Sequence, residues 1–293
     1  WSDADGDGLV DVTNPDCTAN CVIPAEFLDP YPNDFDNDNS SDLVDNDDND
    51  DGIQDADADS DGLIEIDSLE KLNAMRYELS GSGLQLTSNA AVDTSGCPFI
   101  IYRGSYQRRC SGHELTQDLD FDSNSDGILD ENDLYWNANS SGEGLGWAPV
   151  SQFTGIFDGN EFEIKNLYIN RPTQNYIGLF GRINNATIRN VSLTGSLAEI
   201  KGRYYVAGLS GWVESNNYIV NSSVAISISG YDHVGGLGGN SQSENIFEEN
   251  YNAGSITGNS YVGGLVGYLG NASAIRTSFN TGDVTGRNNY TGG

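Results

Sequence analysis

The residues of this chain best suited to chemistry are acidic side chains that recur at alternate positions. Segments that begin at Asp3, Asp47 and Asp57 share Asp or Asn at positions 1, 3 and 5, Gly at position 6 and an acid at position 9. Oxygens at positions 1, 3 and 5 can converge on one cation, while the Gly permits a sharp turn and position 7 offers its carbonyl. The pattern therefore predicts that this part of the chain binds several calcium ions.

The aspartates between the first two loops keep a similar rhythm without the glycine, and we expect them to be ligands as well. The alternative is a solvated, disordered acidic tail, but a random tract would not place Gly after the third ligand three times. Without metal we expect this segment to be largely unfolded, because no apolar core opposes the repulsion of its charges. The predicted ligands are Asp3, Asp5, Asp7, Leu9, Asp11, Asp34, Asp36, Asp38, Asp42, Asp45, Asp47, Asn49, Asp51, Ile53, Asp55, Asp57, Asp59, Asp61, Leu63 and Glu65.

A fourth loop of this kind lies at 122–133. It has Asp or Asn at positions 1, 3, 5 and 9, Gly at position 6 and Asp at position 12, so it resembles an EF-hand loop. The preceding residues, ELTQDLDF, are typical of a strand and not of an EF-hand helix. We expect a calcium loop inserted between strands, with a merely polar turn as the alternative. Its predicted ligands are Asp122, Asn124, Asp126, Ile128, Asp130 and Asp133.

The charge of the chain excludes some partners. It carries 44 acidic and 13 basic residues among 293, and residues 1–70 contain 23 Asp and Glu but no Lys or Arg. Such a surface repels the phosphates of nucleic acids and anionic lipids and attracts divalent cations. No apolar run is long enough to span a membrane.

Candidate catalytic groups are few. Asp158, Glu161 and Glu163 alternate on what we predict to be one strand, with only Lys165 as a nearby base, and no Ser/His/Asp, Cys/His or HExxH arrangement occurs. We predict no enzyme activity and no catalytic residue. The alternative is a carbohydrate-binding or carbohydrate-active β-helix of the lyase or hydrolase type, with Glu161, Glu163 and repeated tyrosines along its groove. We interpret those tyrosines as rings that pack between coils: Tyr204, Tyr205, Tyr231, Tyr261, Tyr268 and Tyr290.

The four cysteines indicate an oxidising compartment. They permit three pairings, and the nearest-neighbour pairs Cys17–Cys21 and Cys97–Cys110 would close two local loops. Their spacing matches no zinc pattern. We therefore expect disulfides and an extracytoplasmic location.

A sequence repeat fixes the architecture that must position these groups. Each repeat contains a glycine 28 residues after the last, with apolar residues two and eleven positions before it. A fixed period of this size predicts a solenoid, and short β-branched runs broken by Gly, Asn and Ser favour strands. We predict an all-β, right-handed parallel β-helix with one three-sided coil per repeat. The repeated positions are Gly202, Gly230, Gly258 and Gly286; Ile200, Ile228, Ile256 and Val284; and Val191, Ile219, Phe247 and Ile275.

We expect two parts in the chain. Residues 1–66 form the Asp-rich calcium-binding segment and residues 67–293 a capped β-helix, with regular coils over about 174–293. Asp67 and Glu70 match a capping box, and apolar residues follow at helical spacing. A helix over about 67–80 is therefore predicted to cover the N-terminal end of the β-helix.

Two family resemblances rest on these motifs. Residues 1–66 resemble thrombospondin type 3 calcium repeats, although the glycine is missing at 34–45. The ordered blocks IEIDSLEKLNAMRYEL, HELTQDLDFD, GWAPV, FTGIFDGNEFEIKNLYIN, YIGLFG and VGGLVG resemble bacterial GLUG-motif proteins over about 64–293. That resemblance implies a right-handed β-helix in a secreted or surface-bound protein, with the repeats serving as spacers or adhesive stalks.

We expect a non-enzymatic, extracellular, calcium-rigidified module of a bacterial surface or matrix protein. The chain begins inside the rhythm of a calcium loop and ends inside a repeat. We therefore expect either a piece of a longer protein or a subunit that joins head to tail into a fibre. Surface glycans are the other expected class of partner.

Overall fold

The computed structural model describes residues 55–288 and 290–292. The predicted calcium ligands up to Ile53, together with Cys17 and Cys21, lie outside the described residues. Apart from one short helix, the regular elements of the described backbone are all strands, and they wind through about five coils, which confirms the predicted all-β parallel solenoid.

The elements follow in chain order. The N-terminal part contains β1 (Leu63–Ile66), α1 (Leu69–Ala74), β2 (Phe99–Tyr102), β3 (Ser105–Arg108), β4 (Gly112–Leu115) and β5 (Leu119–Asp120). The first coil contains β6 (Ile156–Asp158), β7 (Glu163–Lys165), β8 (Tyr168–Asn170) and β9 (Phe180–Ile183). The second contains β10 (Thr187–Arg189), β11 (Ser192–Thr194), β12 (Glu199–Lys201), β13 (Tyr204–Val206) and β14 (Ser210–Ser215).

The third and fourth coils repeat the five-strand plan, and the described part of the fifth contains four strands. The third contains β15 (Tyr218–Val220), β16 (Ser223–Val224), β17 (Ser227–Ser229), β18 (Asp232–Gly235) and β19 (Gly238–Ser243). The fourth contains β20 (Ile246–Glu248), β21 (Tyr251–Asn252), β22 (Ile256–Gly258), β23 (Ser260–Gly263) and β24 (Val266–Leu269). The fifth contains β25 (Ala274–Arg276), β26 (Phe279–Asn280), β27 (Val284–Gly286) and β28 (Thr291–Gly292).

Equivalent strands of successive coils pair in parallel. They form a seven-stranded sheet, β1-β4-β6-β10-β15-β20-β25, beside sheets of six, five, four and four strands. A full coil therefore has more short sides than the three predicted, because left-handed residues such as Asn166, Asn190 and Asn221 turn the chain after a few strand residues. Asn tolerates this conformation better than most residues do.

The core consists of identical or similar side chains stacked between coils. Ile169, Ile200, Ile228 and Ile256 form one buried column. The predicted period of 28 holds from Ile200 onward, whereas the step from Ile169 to Ile200 is 31 residues.

One predicted column needs correction. Ile219 pairs with Ile188 and not with Val191. The path from Leu193 to Ile200 is three residues longer than the equivalent path from Val224 to Ile228. The extra residues lie in the turn around Gly195, so the repeat before it is out of phase with the later ones.

The predicted helix is shorter than expected. It covers Leu69–Ala74 instead of 67–80 and is capped by Ser68, whose Oγ accepts a hydrogen bond from the Lys71 amide at 3.2 Å. Asp67 instead forms an ion pair with Lys71 Nζ at 3.1 Å. The helix ends because the next amides, those of Arg76 and Tyr77, bond three residues back and tighten the turn. Buried Leu69, Leu72 and Met75 pack on the same core as the coils.

Candidate metal centre

The loop from Asp57 to Glu65 has the tight conformation that its pattern predicts. Ser60 and Gly62 have positive φ angles of 58° and 94°. Asp57 Oδ2 accepts a hydrogen bond from the Gly62 amide at 2.9 Å, and Asp61 Oδ1 accepts one from the Leu63 amide at 2.8 Å. These bonds hold the side chains on the inside of the turn.

The carboxylates of this loop converge. Asp57, Asp59 and Asp61 each offer an oxygen within 4.8 Å of the others, and Asp59, Glu65 and Glu114 form a second set at the same limit. Asp59 belongs to both sets, so the five carboxylates form two adjoining groups. Such an all-oxygen donor set suits a hard divalent cation.

Glu114 reaches this region through strand pairing. It lies in β4 directly opposite Glu65 in β1, and Asp158 in β6 is its other neighbour in register. Arg189 in β10 is opposite Asp158 and donates a hydrogen bond from Nε to Asp158 Oδ2. The column therefore carries three acidic residues in a row before the first basic one. Adjacent like charges at strand spacing are destabilising unless a cation or a proton compensates them.

Two oxygens in this cluster are buried without a hydrogen-bond partner. They are Asp57 Oδ1 and Glu65 Oε2, on side chains that are only 1% and 5% exposed. An unpartnered buried carboxylate oxygen costs free energy unless a proton or a metal satisfies it. Burial raises the pKa of Asp57 and of Glu65 to about 7. The residues present therefore fit a bound cation.

A covalent and steric clamp supports the base of the loop. The predicted disulfide Cys97–Cys110 is present, with its Cα atoms 4.9 Å apart, and Cys110 Sγ lies 3.4 Å from Asp57 Oδ2. Gly96 has a φ of +69°, and a Cβ there would lie only 1.7 Å from the Asp57 carbonyl oxygen. Because its cysteines are oxidised, the Asp57–Cys97–Cys110 group offers no thiolate to a metal.

The loop at 122–133 has almost the same backbone as the first loop. Ser125 and Gly127 have positive φ angles, and Asp122 Oδ2 accepts a hydrogen bond from the Gly127 amide at 2.9 Å. Asp133 Oδ1 accepts one from the Ser123 amide at 2.7 Å. In the first loop Glu65 Oε1 does the same for the Ala58 amide, also at 2.7 Å. The acid at position 9 of the first loop and the acid at position 12 of the second loop therefore do the same thing: each accepts a hydrogen bond from the amide of its loop's second residue.

The two loops differ in how closely their carboxylates approach one another. Asp57, Asp59 and Asp61 converge, Asp59 also converges with Glu65, and Leu63 begins the adjoining strand, while calcium binding by these residues stays a prediction. Asp55 is buried, but the rest of its predicted loop lies outside the described residues. Within 122–133, no three carboxylates come within the same distance of one another, and Ile128 is exposed. The second loop's predicted carboxylates are Asp122, Asp126, Asp130 and Asp133, and Asn124 adds an amide oxygen.

The other candidate residues do not form one groove. Asp158 lies in β6 and Glu163 in β7, which belong to different sheets, while Glu161 occupies a turn with a φ of 66°. The prediction that all three share a strand was wrong, because the turn after Asp158 changes the direction of the chain. Glu163 contacts Lys165 Nζ at 3.5 Å.

The repeated tyrosines pack on one another, as predicted. Tyr176 stacks on Tyr205 with ring centroids 5.2 Å apart, and Tyr261 stacks on Tyr290 at 4.8 Å. His233 continues the column between Tyr205 and Tyr261. Tyr268 meets the Tyr261 ring edge-on, and Tyr231 does the same with Tyr204.

Comparison with known proteins supports the repeat assignment. Residues 258–285 match the family model described as the GLUG motif. The matched range begins at the last residue of β22, includes β23–β26 and ends within β27, one full turn of the solenoid.

Two relatives share parts of the chain. A provisionally named Gly-rich membrane protein of Evansella cellulosilytica is 40% identical over 90 residues, covering 29% of this chain and 10% of that protein. Halomucin of Haloquadratum walsbyi is 32% identical over 138 residues, covering 42% of this chain and 1% of halomucin. The chain thus spans a small part of the length of either relative.

A solved structure provisionally named an immunoglobulin A1 protease, from Bacteroides ovatus, superposes with a TM-score of 0.47 and 16% identity. The superposition covers 80% of this chain and 60% of that one. In the described residues, no helix is both long and apolar enough to cross a membrane.

Proposed function

We propose that this chain is a non-enzymatic structural or adhesive module of a cell-surface or matrix protein, made rigid by calcium. The GLUG motif and the surface-type names of its relatives support the location. The disulfide supports an oxidising compartment.

The observation that carries the calcium proposal is the convergence of Asp57, Asp59, Asp61, Glu65 and Glu114 around buried oxygens that have no partner. Because Glu114 belongs to β4, a cation held there would join the loop to the second strand of the largest sheet. Binding to the folded chain alone stabilises it by mass action. The ion's role would be to fix the loop against the coils.

Hydrogen–deuterium exchange on the full chain tests this proposal, because peptides covering 55–66 can be followed apart from other calcium loops. We expect calcium to slow exchange in these peptides relative to metal-depleted protein. Glu114→Gln should raise the calcium concentration needed for half protection by roughly tenfold, the scale of losing one supporting group at a metal site.

Glu163→Gln is the control, since Glu163 is a half-buried strand carboxylate that lies in β7, in another sheet. Its calcium midpoint should equal that of the parent chain. Equal exchange of 55–66 with and without millimolar calcium would rule out the proposed site.

Filament formation by head-to-tail contact remains a prediction from the sequence. If it occurs, sedimentation velocity of the intact chain should show growing species as calcium is added. A monomer at every calcium concentration would contradict it.

A further inference from the structure

Two partly buried arginines, Arg76 and Arg171, line one pocket. Neither of them forms an ion pair within the described residues, although Arg182 and Arg189 do. This is notable in a chain whose net charge is −31. Uncompensated cations beside a concavity attract anions by concentrating a positive potential there.

Neutral acceptors fix both guanidinium groups in place. Arg76 Nη2 donates to the Ala148 carbonyl at 3.1 Å, and Arg171 donates to the Trp147 carbonyl from Nε at 3.1 Å and to the Gly146 carbonyl from Nη2 at 3.2 Å. The Arg76 guanidinium also lies 5.0 Å from the centre of the buried Trp147 ring. These contacts orient the groups but leave N–H donors on each, since a guanidinium has five.

The pocket that they line has about 480 Å³ of space. That is within the range of about 300–1,000 Å³ typical of small-molecule sites. Its wall combines amides, apolar side chains and one aromatic ring. The lining residues besides the arginines are Asn73, Tyr135, Asn137, Ala138, Leu145 and Ala148.

The electrostatics of the wall agree with an anion site. Burial lowers the pKa of Arg171, and the nearby charge of Arg76 lowers it further. Glu70 on α1 influences Tyr135 but is not part of the lining. A bound anion would relieve the repulsion between the two arginines.

We infer that this pocket binds the carboxylate of an acidic sugar, a uronate residue of a surface or matrix glycan. Planar guanidinium groups match a carboxylate bidentately. The amides can bond to hydroxyls, and Tyr135 with Leu145 and Ala148 can contact the C–H face of a pyranose ring. A densely charged polyanion is disfavoured because the rest of the molecule would repel it, whereas one carboxylate per sugar is tolerated.

Calorimetric titration of the calcium-saturated full chain with trigalacturonate tests the inference. We expect saturable binding that is lost when the trisaccharide is replaced by its methyl ester, which removes the charge and keeps the sugar. Arg76→Gln and Arg171→Gln should each weaken binding at least tenfold. Arg76→Lys and Arg171→Lys should weaken it less, because lysine keeps the charge but loses the planar fork.

Arg203→Gln is the control, since Arg203 is an exposed arginine beside Tyr204, away from this pocket. Thermal melts establish whether each variant is folded. If a glutamine variant does not fold, the lysine variant at the same position is used in its place. Equal binding of the methyl ester, unchanged affinity in both glutamine variants, or competition by sulfate at equal concentration would overturn the inference. Because calcium is saturating throughout, these results are independent of the metal proposal.

Discussion

At the scale of single residues, the acidic column shows what local sequence can and cannot reveal. The spacing of Asp57, Asp59, Asp61 and Glu65 is visible in nine consecutive residues, and the structure brings these side chains together. Glu114 could not be predicted in the same way, because only the register between β1 and β4 places it opposite Glu65. The shared position of the acid in the strands LIEI and GHEL is the one signal that could have indicated the pair.

The buried carboxylates predict an inverted pH response in metal-depleted protein. The pKa of Asp57, Glu65 and Glu114 is raised to about 7, mainly by burial. A carboxyl whose folded pKa exceeds its unfolded value stabilises the fold below the unfolded value, about 4, and that stability is lost as pH rises through the folded value. The melting temperature without metal should therefore fall between about pH 4 and pH 7.

Saturating calcium should remove this fall, because the cation replaces the protons. Asp57→Asn should flatten the metal-free profile, since its amide does not titrate. Thermal melts at several pH values, with and without calcium, measure both effects. A melting temperature that rises steadily with pH in metal-depleted protein would contradict the prediction.

Gly238 illustrates how a departure from the repeat is compensated. A glycine where other coils have a larger residue suggests local underpacking, yet Phe247 fills the space. A Cβ on Gly238 would lie 3.4 Å from Phe247 Cζ and 3.3 Å from Val213 Cγ2. Phe247 is fully buried and occupies a column whose other members include Ile188 and Ile219. The large and the small residue are therefore complementary.

This complementarity can be tested by a double-mutant cycle. Gly238→Val should destabilise the chain by about 1–3 kcal/mol through overpacking against Phe247. Phe247→Ile should cost a similar amount by leaving a cavity. The double variant should lose less stability than the two single losses together, because the valine fills the space that the ring vacates. Strict additivity in chemical denaturation would show that the two positions do not compensate each other.

At the scale of elements, buried asparagine side chains link successive coils at the corners of the solenoid. Asn217 and Asn245 are both buried, and Asn245 Oδ1 accepts hydrogen bonds from the Asn217 amide at 3.0 Å and from its Nδ2 at 2.9 Å. Asn245 Nδ2 in turn donates to the Glu214 carbonyl at 2.8 Å. Each asparagine therefore joins its own coil to the preceding one.

Asn245→Ala should destabilise the chain by about 2–4 kcal/mol, because it leaves several buried polar groups without partners. Asn271→Ala is the matched control, since Asn271 is exposed in the same region of the next coil. That change should fall within about 0.5 kcal/mol of the parent chain. Denaturant unfolding compares the two variants, and equal stabilities would show that the corner amides are replaceable.

The regular coils were predictable from sequence, and the N-terminal part was predictable only in outline. From Ile200 onward a strict repeat reports both strand positions and register, because each unit packs on an equivalent one. Before it, the turn at Gly195 and the inserted loop at 122–133 change the phase. The N-cap of helix α1 was predicted one residue too early. Asp67 and Ser68 are both favourable N-cap residues, and tertiary contacts decide between them.

At the scale of the whole molecule, the solenoid transmits stability only between neighbours. In such an architecture each coil contacts adjacent coils, so stability is close to a sum of local terms. The proposed cation and the Cys97–Cys110 disulfide both act near the start of the described solenoid, where the disulfide packs in a small buried cluster with Ala56 and Ile64, the chain neighbours of Asp57 and Glu65. Loss of either the cation or the disulfide should therefore destabilise this end of the solenoid most.

Removal of the disulfide predicts a graded response along the chain. Cys97→Ser with Cys110→Ser opens a loop with a sequence separation of 13, a change worth about 3 kcal/mol in chain entropy. Exchange should quicken in β1, α1 and β4, and calcium protection of 55–66 should need more calcium, because Asp57 loses its support. The strands β18 and β23, several coils away, should exchange as in the parent chain. Metal depletion should give the same gradient, since it weakens the same end. Uniform loss of protection from β1 to β23 in both experiments would instead show that the described solenoid unfolds as a single cooperative unit.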